Sequence, residues 1–130
     1  MDSRKIQELL RKANEALKNS YAPYSGYRVG AALLTKTGKV YTGSNIENAS
    51  YGLTICAERV ALFNAVNEGE REFIAIAIVS DDPSTPPFPC GACRQVLAEF
   101  SPSMEIIVKK GDEVIIKNLK ELLPYSFDFK

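Results

Sequence analysis

The sequence predicts an α/β fold: a three-layer α/β/α sandwich in which a five-stranded mixed sheet lies between helices, built as one domain over residues 1–130. Segments with helical and strand periodicity follow the order α β β α β α β β α. The continuously apolar run Phe73 to Val79 is typical of a strand covered on both faces. The last two strands are joined by Lys110 to Glu113, which is too short for a parallel crossover, so we expect them to pair antiparallel.

The first predicted element is an amphipathic helix from Arg4 to Asn19. Either Asp2 or Ser3 is placed to cap its first turn. The apolar residues that share one face at helical spacing are Ile6, Leu9, Leu10, Ala13 and Leu17.

A β-hairpin follows the first helix. The two predicted strands, Arg28 to Thr35 and Val40 to Ser44, are joined by Lys36 to Lys39, a short connection that contains glycine. The next segment, Asn45 to Thr54, is polar and predicts a loop.

The middle of the chain predicts a helix, a strand and a second helix. Cys56 to Asn67 is helical in pattern and ends at Glu68 and Gly69. Phe73 to Val79 is the predicted central strand. Asp81 to Pro89 contains four of the seven prolines and predicts a loop, after which Cys93 to Phe100 predicts a helix.

The C-terminal part predicts two strands and a short helix. The strands are Glu105 to Lys109 and Val114 to Lys117. Asn118 and Glu121 have the spacing of a capping box, which predicts a helix that ends before Pro124.

Composition narrows the range of functions. The 130 residues are 45% apolar and 25% charged, as in ordinary globular domains. Sixteen basic and sixteen acidic residues give zero net charge, which argues against nucleic acid or anionic lipid as partner. The longest apolar run is much shorter than the roughly 20 residues of a membrane-spanning helix. No secretory signal is visible at Met1 to Lys5, so we expect a cytoplasmic protein.

Three cysteines and no histidine define the available chemistry. Without imidazole, the chain cannot assemble a Ser-His-Asp or Cys-His catalytic arrangement. All three cysteines lie near the predicted N-termini of two helices, where the helix dipole and free amides favour thiolate. We therefore predict that Cys56, Cys90 and Cys93 bind one zinc ion, since three soft ligands suit this metal.

The zinc site lacks a fourth protein ligand of the usual kind, because no further cysteine or histidine is present. The remaining position is then open to water, whose pKa zinc lowers from about 15.7 towards roughly 7. Glu58 lies two residues after Cys56 on the same predicted turn. Its carboxylate is the candidate general acid and base.

Simpler interpretations exist for each residue taken alone. Cys90 and Cys93 could form a redox pair or half of a structural metal site. Glu58 could be an exposed helix carboxylate paired with Arg59. Asn45 and Glu47 could be ordinary turn residues.

Four segments together resemble the zinc-dependent cytidine deaminases of the small, homotetrameric type. Two of them are the C-x-E and P-C-x-x-C signature of zinc deaminases, at Cys56–Arg59 and Pro89–Gln95. The other two, Tyr24–Leu33 and Asn45–Thr54, are similar to the family's substrate strand and ribose loop. The resemblance covers nearly the whole chain.

The resemblance implies hydrolytic deamination of cytidine and deoxycytidine to uridine and deoxyuridine, with release of ammonia, in pyrimidine salvage. It implies that Asn45 and Glu47 hold the ribose hydroxyls and that Tyr27 and Ala57 also contact the nucleoside. Tyr27 stands where family members usually have phenylalanine. Arg59 is expected to hydrogen-bond the ligand sulfurs and to offset their negative charge.

The resemblance also implies a homotetramer. Phe127, in a tail similar to the family's C-terminal motif, is expected to reach into a neighbouring subunit and stack on the base. Tyr51 is either a second residue at a subunit contact or a packing residue.

Two other functions are compatible with these residues. One is deamination of a different aminated ring, such as a nucleoside antibiotic or a base in nucleic acid. The other is a noncatalytic binding protein in which zinc only stabilises the fold. Retention of Glu58 argues against the second, because a structural site does not need that carboxylate.

Overall fold

A computed structural model describes residues 1–129 and contains one five-stranded sheet in the order β2-β1-β3-β4-β5. Lys130, the last residue of the predicted domain, lies outside the described residues. The elements, in chain order, are α1 (Ser3–Leu17), β1 (Val29–Thr35), β2 (Val40–Ser44), a 3-10 turn (Tyr51–Leu53), α2 (Ala57–Asn67), β3 (Phe73–Ser80), α3 (Gly91–Phe100), β4 (Glu105–Lys110), β5 (Glu113–Asn118) and α4 (Leu119–Leu122).

The sheet is mixed, as predicted. Strand β3 is central and pairs antiparallel with β1 and parallel with β4. The hairpins β1–β2 and β4–β5 are both antiparallel. The β3–β4 pair requires a crossover, and α3 supplies it.

Helices cover both faces of the sheet and complete the predicted three layers. Helix α1 packs on one face, in a cluster that includes Leu9, Leu10, Ala13, Leu17, Ala32, Leu34, Ala77 and Ile107. Helices α2, α3 and α4 pack on the other, in a cluster that includes Ala57, Ala61, Leu62, Leu97, Leu119, Leu33, Ile76 and Ile106. Neighbouring residues of β1 and β3 thus contribute to opposite clusters, because successive side chains of a strand point to opposite faces.

The helix boundaries differ slightly from the predictions at their ends. Asp2 is the N-cap of α1 and accepts a hydrogen bond from the Lys5 amide at 2.8 Å, but the helix ends at Leu17. Helix α3 begins at Gly91, two residues before the predicted start. The capping box of Asn118 and Glu121 is present at α4, as predicted.

Among residues 1–129, no helix combines the length and the apolar composition that crossing a bilayer requires.

Candidate metal centre and pocket

Two helix N-termini position the three cysteines. Cys56 is the N-cap residue of α2, and Cys90 is the N-cap residue of α3. Cys93 lies in the first turn of α3 and is fully buried. All three cysteines therefore lie at helix N-termini, where amides and dipoles stabilise negative charge. At Cys93 the hydrogen bond with Cys56 and burial act in the opposite direction and raise the pKa of the thiol.

The three sulfur atoms fit a single zinc ion. They all lie within 4.8 Å of one another, and Cys56 Sγ is 3.9 Å from Cys90 Sγ. Tetrahedral zinc with Zn–S bonds of about 2.3 Å requires sulfurs about 3.8 Å apart. None of the three thiols is in a disulfide. The donor set and its spacing thus match a zinc centre with three protein ligands.

Arg59 supplies positive charge to the sulfur cluster. Its Nη2 donates a hydrogen bond to Cys56 Sγ at 3.5 Å. Hydrogen bonding from Cys93, with further contributions from Arg59, lowers the pKa of the Cys56 thiol to about 5. This lowered pKa favours the thiolate form of Cys56. The buried Nε of Arg59 has no hydrogen-bond partner within residues 1–129.

Glu58 is buried beside the cluster, in the first turn of α2. Burial raises the pKa of its carboxyl group to about 7, since desolvation disfavours the charged form. A carboxyl group that titrates near neutral pH can both accept and donate a proton under ordinary conditions. This is the property that general acid and base work requires.

A pocket of about 270 Å³ opens onto these groups, which makes it large enough for a small ring compound. Its walls are formed by Ser25, Tyr27, Val29, Asn45, Glu47, Tyr51, Thr54, Cys56, Ala57, Glu58, Pro87, Phe88 and Cys90. The pocket therefore brings together most of the predicted site residues. A second cleft, of about 400 Å³, lies against α1 on the other face of the sheet and contains none of the cysteines.

Glu47 is buried, and both of its carboxylate oxygens are engaged. Oε1 accepts hydrogen bonds from the amides of Tyr24 at 2.9 Å and Ser25 at 3.1 Å, and Oε2 accepts one from the Ser25 hydroxyl. The hydrogen bond from the Ser25 side chain is the main cause that lowers the pKa of Glu47. The carboxylate is therefore held in its ionised form.

Asn45 is also buried, and its side chain forms hydrogen bonds with the backbone of Tyr27 and Val29. Its Nδ2 donates to the Tyr27 carbonyl at 2.8 Å, and its Oδ1 accepts from the Val29 amide at 2.9 Å. Asn45 and Glu47 thus line the pocket and also tie the chain before β1 to the loop after β2.

Phe127 lies apart from this pocket. It is 72% exposed, and its backbone carbonyl accepts a hydrogen bond from Gln95 Nε2 at 3.2 Å. Tyr51 lines the pocket and is 61% exposed. Both aromatic rings therefore present apolar surface outward.

Several pocket residues were not predicted as site residues. Pro87 and Phe88 belong to the proline-rich loop and form a wall next to Cys90. Their position directly before the P-C-x-x-C motif, which begins at Pro89, is the sequence signal that could have identified them. Ser25 lies within Tyr24–Leu33 and Thr54 lies within Asn45–Thr54, the two segments that resemble the family's substrate strand and ribose loop. Both residues could therefore have been identified from the sequence.

Comparisons with known proteins agree with this geometry. The family model of the cytidine and deoxycytidylate deaminase zinc-binding region matches residues 3–110. A cytidine deaminase of Halalkalibacterium halodurans is 50% identical over 123 residues, which span 93% of this chain and 92% of that protein. A cytidine deaminase of Sporosarcina psychrophila is 46% identical over 125 residues, which span 94% of this chain and 90% of that protein.

A solved structure shares the fold over nearly all of this chain. The crystal structure of cytidine deaminase from Burkholderia pseudomallei matches with a TM-score of 0.89 and 46% sequence identity. The match covers 98% of this chain and 100% of that chain.

Proposed function

The chain belongs to the family of cytidine and deoxycytidylate deaminases with a zinc-binding region, and from this premise we propose that residues 1–130 act as one zinc-dependent cytidine deaminase domain. The reaction is hydrolysis of cytidine or deoxycytidine by one water to uridine or deoxyuridine and ammonia, in pyrimidine salvage. The observation that carries this proposal is the convergence of three cysteine sulfurs, two of which, those of Cys56 and Cys90, belong to residues that line one pocket with the buried Glu58.

The chain's own residues supply the proton transfers. Zinc, when bound by the three thiolates, supplies Lewis-acid activation of water. Glu58 takes a proton from the water that attacks ring C4 and delivers it to ring N3. It then takes the second proton of that water, now on the oxygen added at C4, and passes it to the amino group, so that the C4–N bond breaks, ammonia leaves and the C4 carbonyl forms. One carboxyl group with a pKa near neutrality can serve both steps.

The walls of the pocket would hold the nucleoside. Asn45 and Glu47 are suited to the ribose hydroxyls, because a carboxylate accepts and an amide both donates and accepts hydrogen bonds. Tyr27 and Ala57 line the same pocket and would contact the base or the sugar. Arg59 would hold its place beside Cys56 and limit the negative charge of the thiolates.

We propose that the protein is a homotetramer in which Phe127 completes the site of a neighbouring subunit. The exposure of Phe127, and of Tyr51 at the pocket, supports contacts between copies. Light scattering should give four chains per particle. Phe127→Ala should raise the KM for cytidine while zinc content stays at one per chain, and an active wild-type monomer would contradict the tetramer.

A cytoplasmic location is part of the proposal, supported by three unpaired thiols, which persist in a reducing compartment. The zero net charge supports a free nucleoside rather than nucleic acid as substrate.

The decisive experiment measures zinc per chain together with cytidine turnover, followed by ultraviolet absorbance. We expect one zinc ion per chain and formation of uridine. Deoxycytidine, free cytosine and an oligonucleotide, assayed in parallel, test the substrate class. We expect the two nucleosides to react and the other two compounds not to react.

Glu58→Gln tests the role assigned to the carboxylate. It should keep the zinc and lose at least about a thousandfold in turnover, because no other group takes the proton. Glu68→Gln, the same change at an exposed position at the end of the same helix, is the matched control and should retain activity. A zinc-loaded wild type without turnover, unaffected by Glu58→Gln, would favour a noncatalytic zinc protein.

A further inference from the structure

The segment from Tyr21 to Val29 lies beside Asn45–Glu47 and is hydrogen-bonded to it at both ends. At one end, the Tyr21 amide donates to the Asn45 carbonyl at 3.0 Å, and the Glu47 amide donates to the Tyr21 carbonyl at 2.8 Å. At the other end, the Asn45 amide donates to the Val29 carbonyl at 3.2 Å. In the middle of the segment, which carries Tyr27 into the pocket wall, the Gly26 amide donates to the Ala22 carbonyl at 3.0 Å, and the described links to Asn45–Glu47 are made by side chains, including Asn45 Nδ2, which donates to the Tyr27 carbonyl at 2.8 Å.

Beside the Tyr24 and Ser25 amides, which donate to Glu47 Oε1, the Ser25 hydroxyl links Glu47 to the Tyr27 backbone. It donates to Glu47 Oε2 and accepts a hydrogen bond from the Tyr27 amide at 3.0 Å. One oxygen atom thus connects a buried carboxylate to the backbone of a pocket residue. Only a hydroxyl side chain of this length both donates and accepts in this way.

The buried position of Glu47 makes the link strong. A carboxylate removed from water requires hydrogen-bond donors, and the described contacts of Glu47 supply three, all from Tyr24 and Ser25. Hydrogen bonds to an ionised group are shorter and stronger than those between neutral groups. Moving Tyr24 and Ser25 away would leave the buried Glu47 carboxylate without these hydrogen-bond donors, which is unfavourable, so the hydrogen bonds hold Tyr24 and Ser25 in place.

We propose that Ser25 is a positioning residue of this pocket, which acts through Glu47 and the Tyr27 backbone to set the place of the Tyr27 side chain. This inference rests on the proposed function for its effect on nucleoside affinity. Ser25 contacts neither the cysteines nor Glu58 in the described hydrogen bonds, so its effect falls on substrate binding and not on the chemical step.

The experiment compares Ser25→Ala with the wild-type zinc-loaded protein by two measurements. With cytidine, we expect KM to rise about tenfold and kcat to stay within about twofold, as for the loss of hydrogen bonds to a charged group. Without substrate, we expect the amides of residues 24–27 to exchange with deuterium about tenfold faster, because the Tyr27 amide loses its acceptor.

Two further variants make the result specific. Ser25→Thr keeps the hydroxyl and should restore both the wild-type KM and the wild-type exchange. Ser84→Ala is the matched control, since Ser84 makes the same pair of bonds, from its amide at 3.0 Å and its hydroxyl at 2.6 Å, to Asp82 outside the pocket. It should change neither measurement.

The outcomes separate this proposal from the proposed function. Unchanged exchange in Ser25→Ala, or equal defects in Ser25→Ala and Ser25→Thr, would overturn the positioning role. A fall in kcat with an unchanged KM would overturn it as well. If the zinc-loaded wild type does not deaminate cytidine, the proposed function fails, and the exchange measurement still decides whether Ser25 holds the segment.

Discussion

The sulfur of Cys56 lies 3.9 Å from the sulfur of Cys90, although 34 positions separate the two residues in the chain. The fold creates this contact, because α2 begins after the loop that follows β2 and α3 begins after the loop that follows β3. The N-termini of both helices thus meet in one place. The ligand set exists only in the folded chain, so metal binding and folding are coupled.

Cys90→Ser should therefore remove both the metal and part of the stability. A serine hydroxyl is a poor replacement for a thiolate as a zinc ligand. We expect zinc content to fall to a small fraction of one per chain and the free energy of unfolding to fall by about 3 kcal/mol or more. Metal analysis and urea unfolding check this. Wild type stripped with a chelator is the control and should show a similar loss, whereas a Cys90→Ser protein with full zinc content would contradict the ligand assignment.

Arg59→Gln tests the charge balance at the sulfurs. Arg59 donates to Cys56 Sγ at 3.5 Å, and its removal leaves the thiolate charge less compensated. We expect zinc to be retained at saturating metal, with turnover of cytidine lowered about 10- to 100-fold.

Arg11→Gln is the matched control for this variant. Arg11 makes an exposed ion pair with Glu15 on α1, on the other face of the sheet. It should leave turnover unchanged. An Arg59→Gln protein as active as Arg11→Gln would show that the sulfurs do not need this cation.

The metal centre could be predicted from the sequence because its signals are local. The C-x-x-C spacing places Cys90 and Cys93 on one turn, and the C-x-E spacing places Glu58 next to Cys56. The central position of β3 and the antiparallel pairing of β4 with β5 followed from similar local signals, namely the apolar run of β3 and the short connection between β4 and β5.

The pocket walls could not be predicted in the same way. Glu47 bonds to the backbone of Tyr24 and Ser25, 23 and 22 positions earlier, and periodicity carries no information about such loop contacts. Pro87 and Phe88 reach the pocket because the proline-rich loop turns towards α3. The prolines of this segment predicted a loop, but they did not predict which part of the molecule the loop packs against.

Gly43 should not tolerate alanine, because β2 and α2 approach closely there. A methyl carbon at Gly43 would lie 2.6 Å from the Ala57 carbonyl oxygen and would also collide with the Ala61 amide nitrogen. Both are backbone atoms of α2, so relief requires the helix to move. We expect Gly43→Ala to lower the free energy of unfolding by roughly 2–3 kcal/mol, as measured by urea unfolding of the zinc-loaded protein.

Gly52→Ala is the control for this prediction. A methyl carbon at Gly52 meets no described atom within 4 Å, and its φ is outside the left-handed region. It should change stability by no more than about 0.5 kcal/mol. Equal stability of the two variants would mean that α2 does not press on β2 as described.

Glu47→Gln should destabilise the protein in a way that depends on pH. Hydrogen bonding from Ser25, together with the amides of Ser25 and Tyr24, lowers the pKa of Glu47 below the ordinary value of 4.5. The folded state therefore binds fewer protons at this group than the unfolded state does. The stabilisation is present above pH 4.5 and is lost as the pH falls through the lowered pKa of the folded state.

Urea midpoints of wild type and Glu47→Gln, both without metal, should differ at pH 7 and converge below pH 4.5. Glu68→Gln, at an exposed position, is the control and should change stability by no more than about 0.5 kcal/mol at pH 7. A constant difference between wild type and Glu47→Gln across this range would mean that the fold does not favour the ionised form of Glu47.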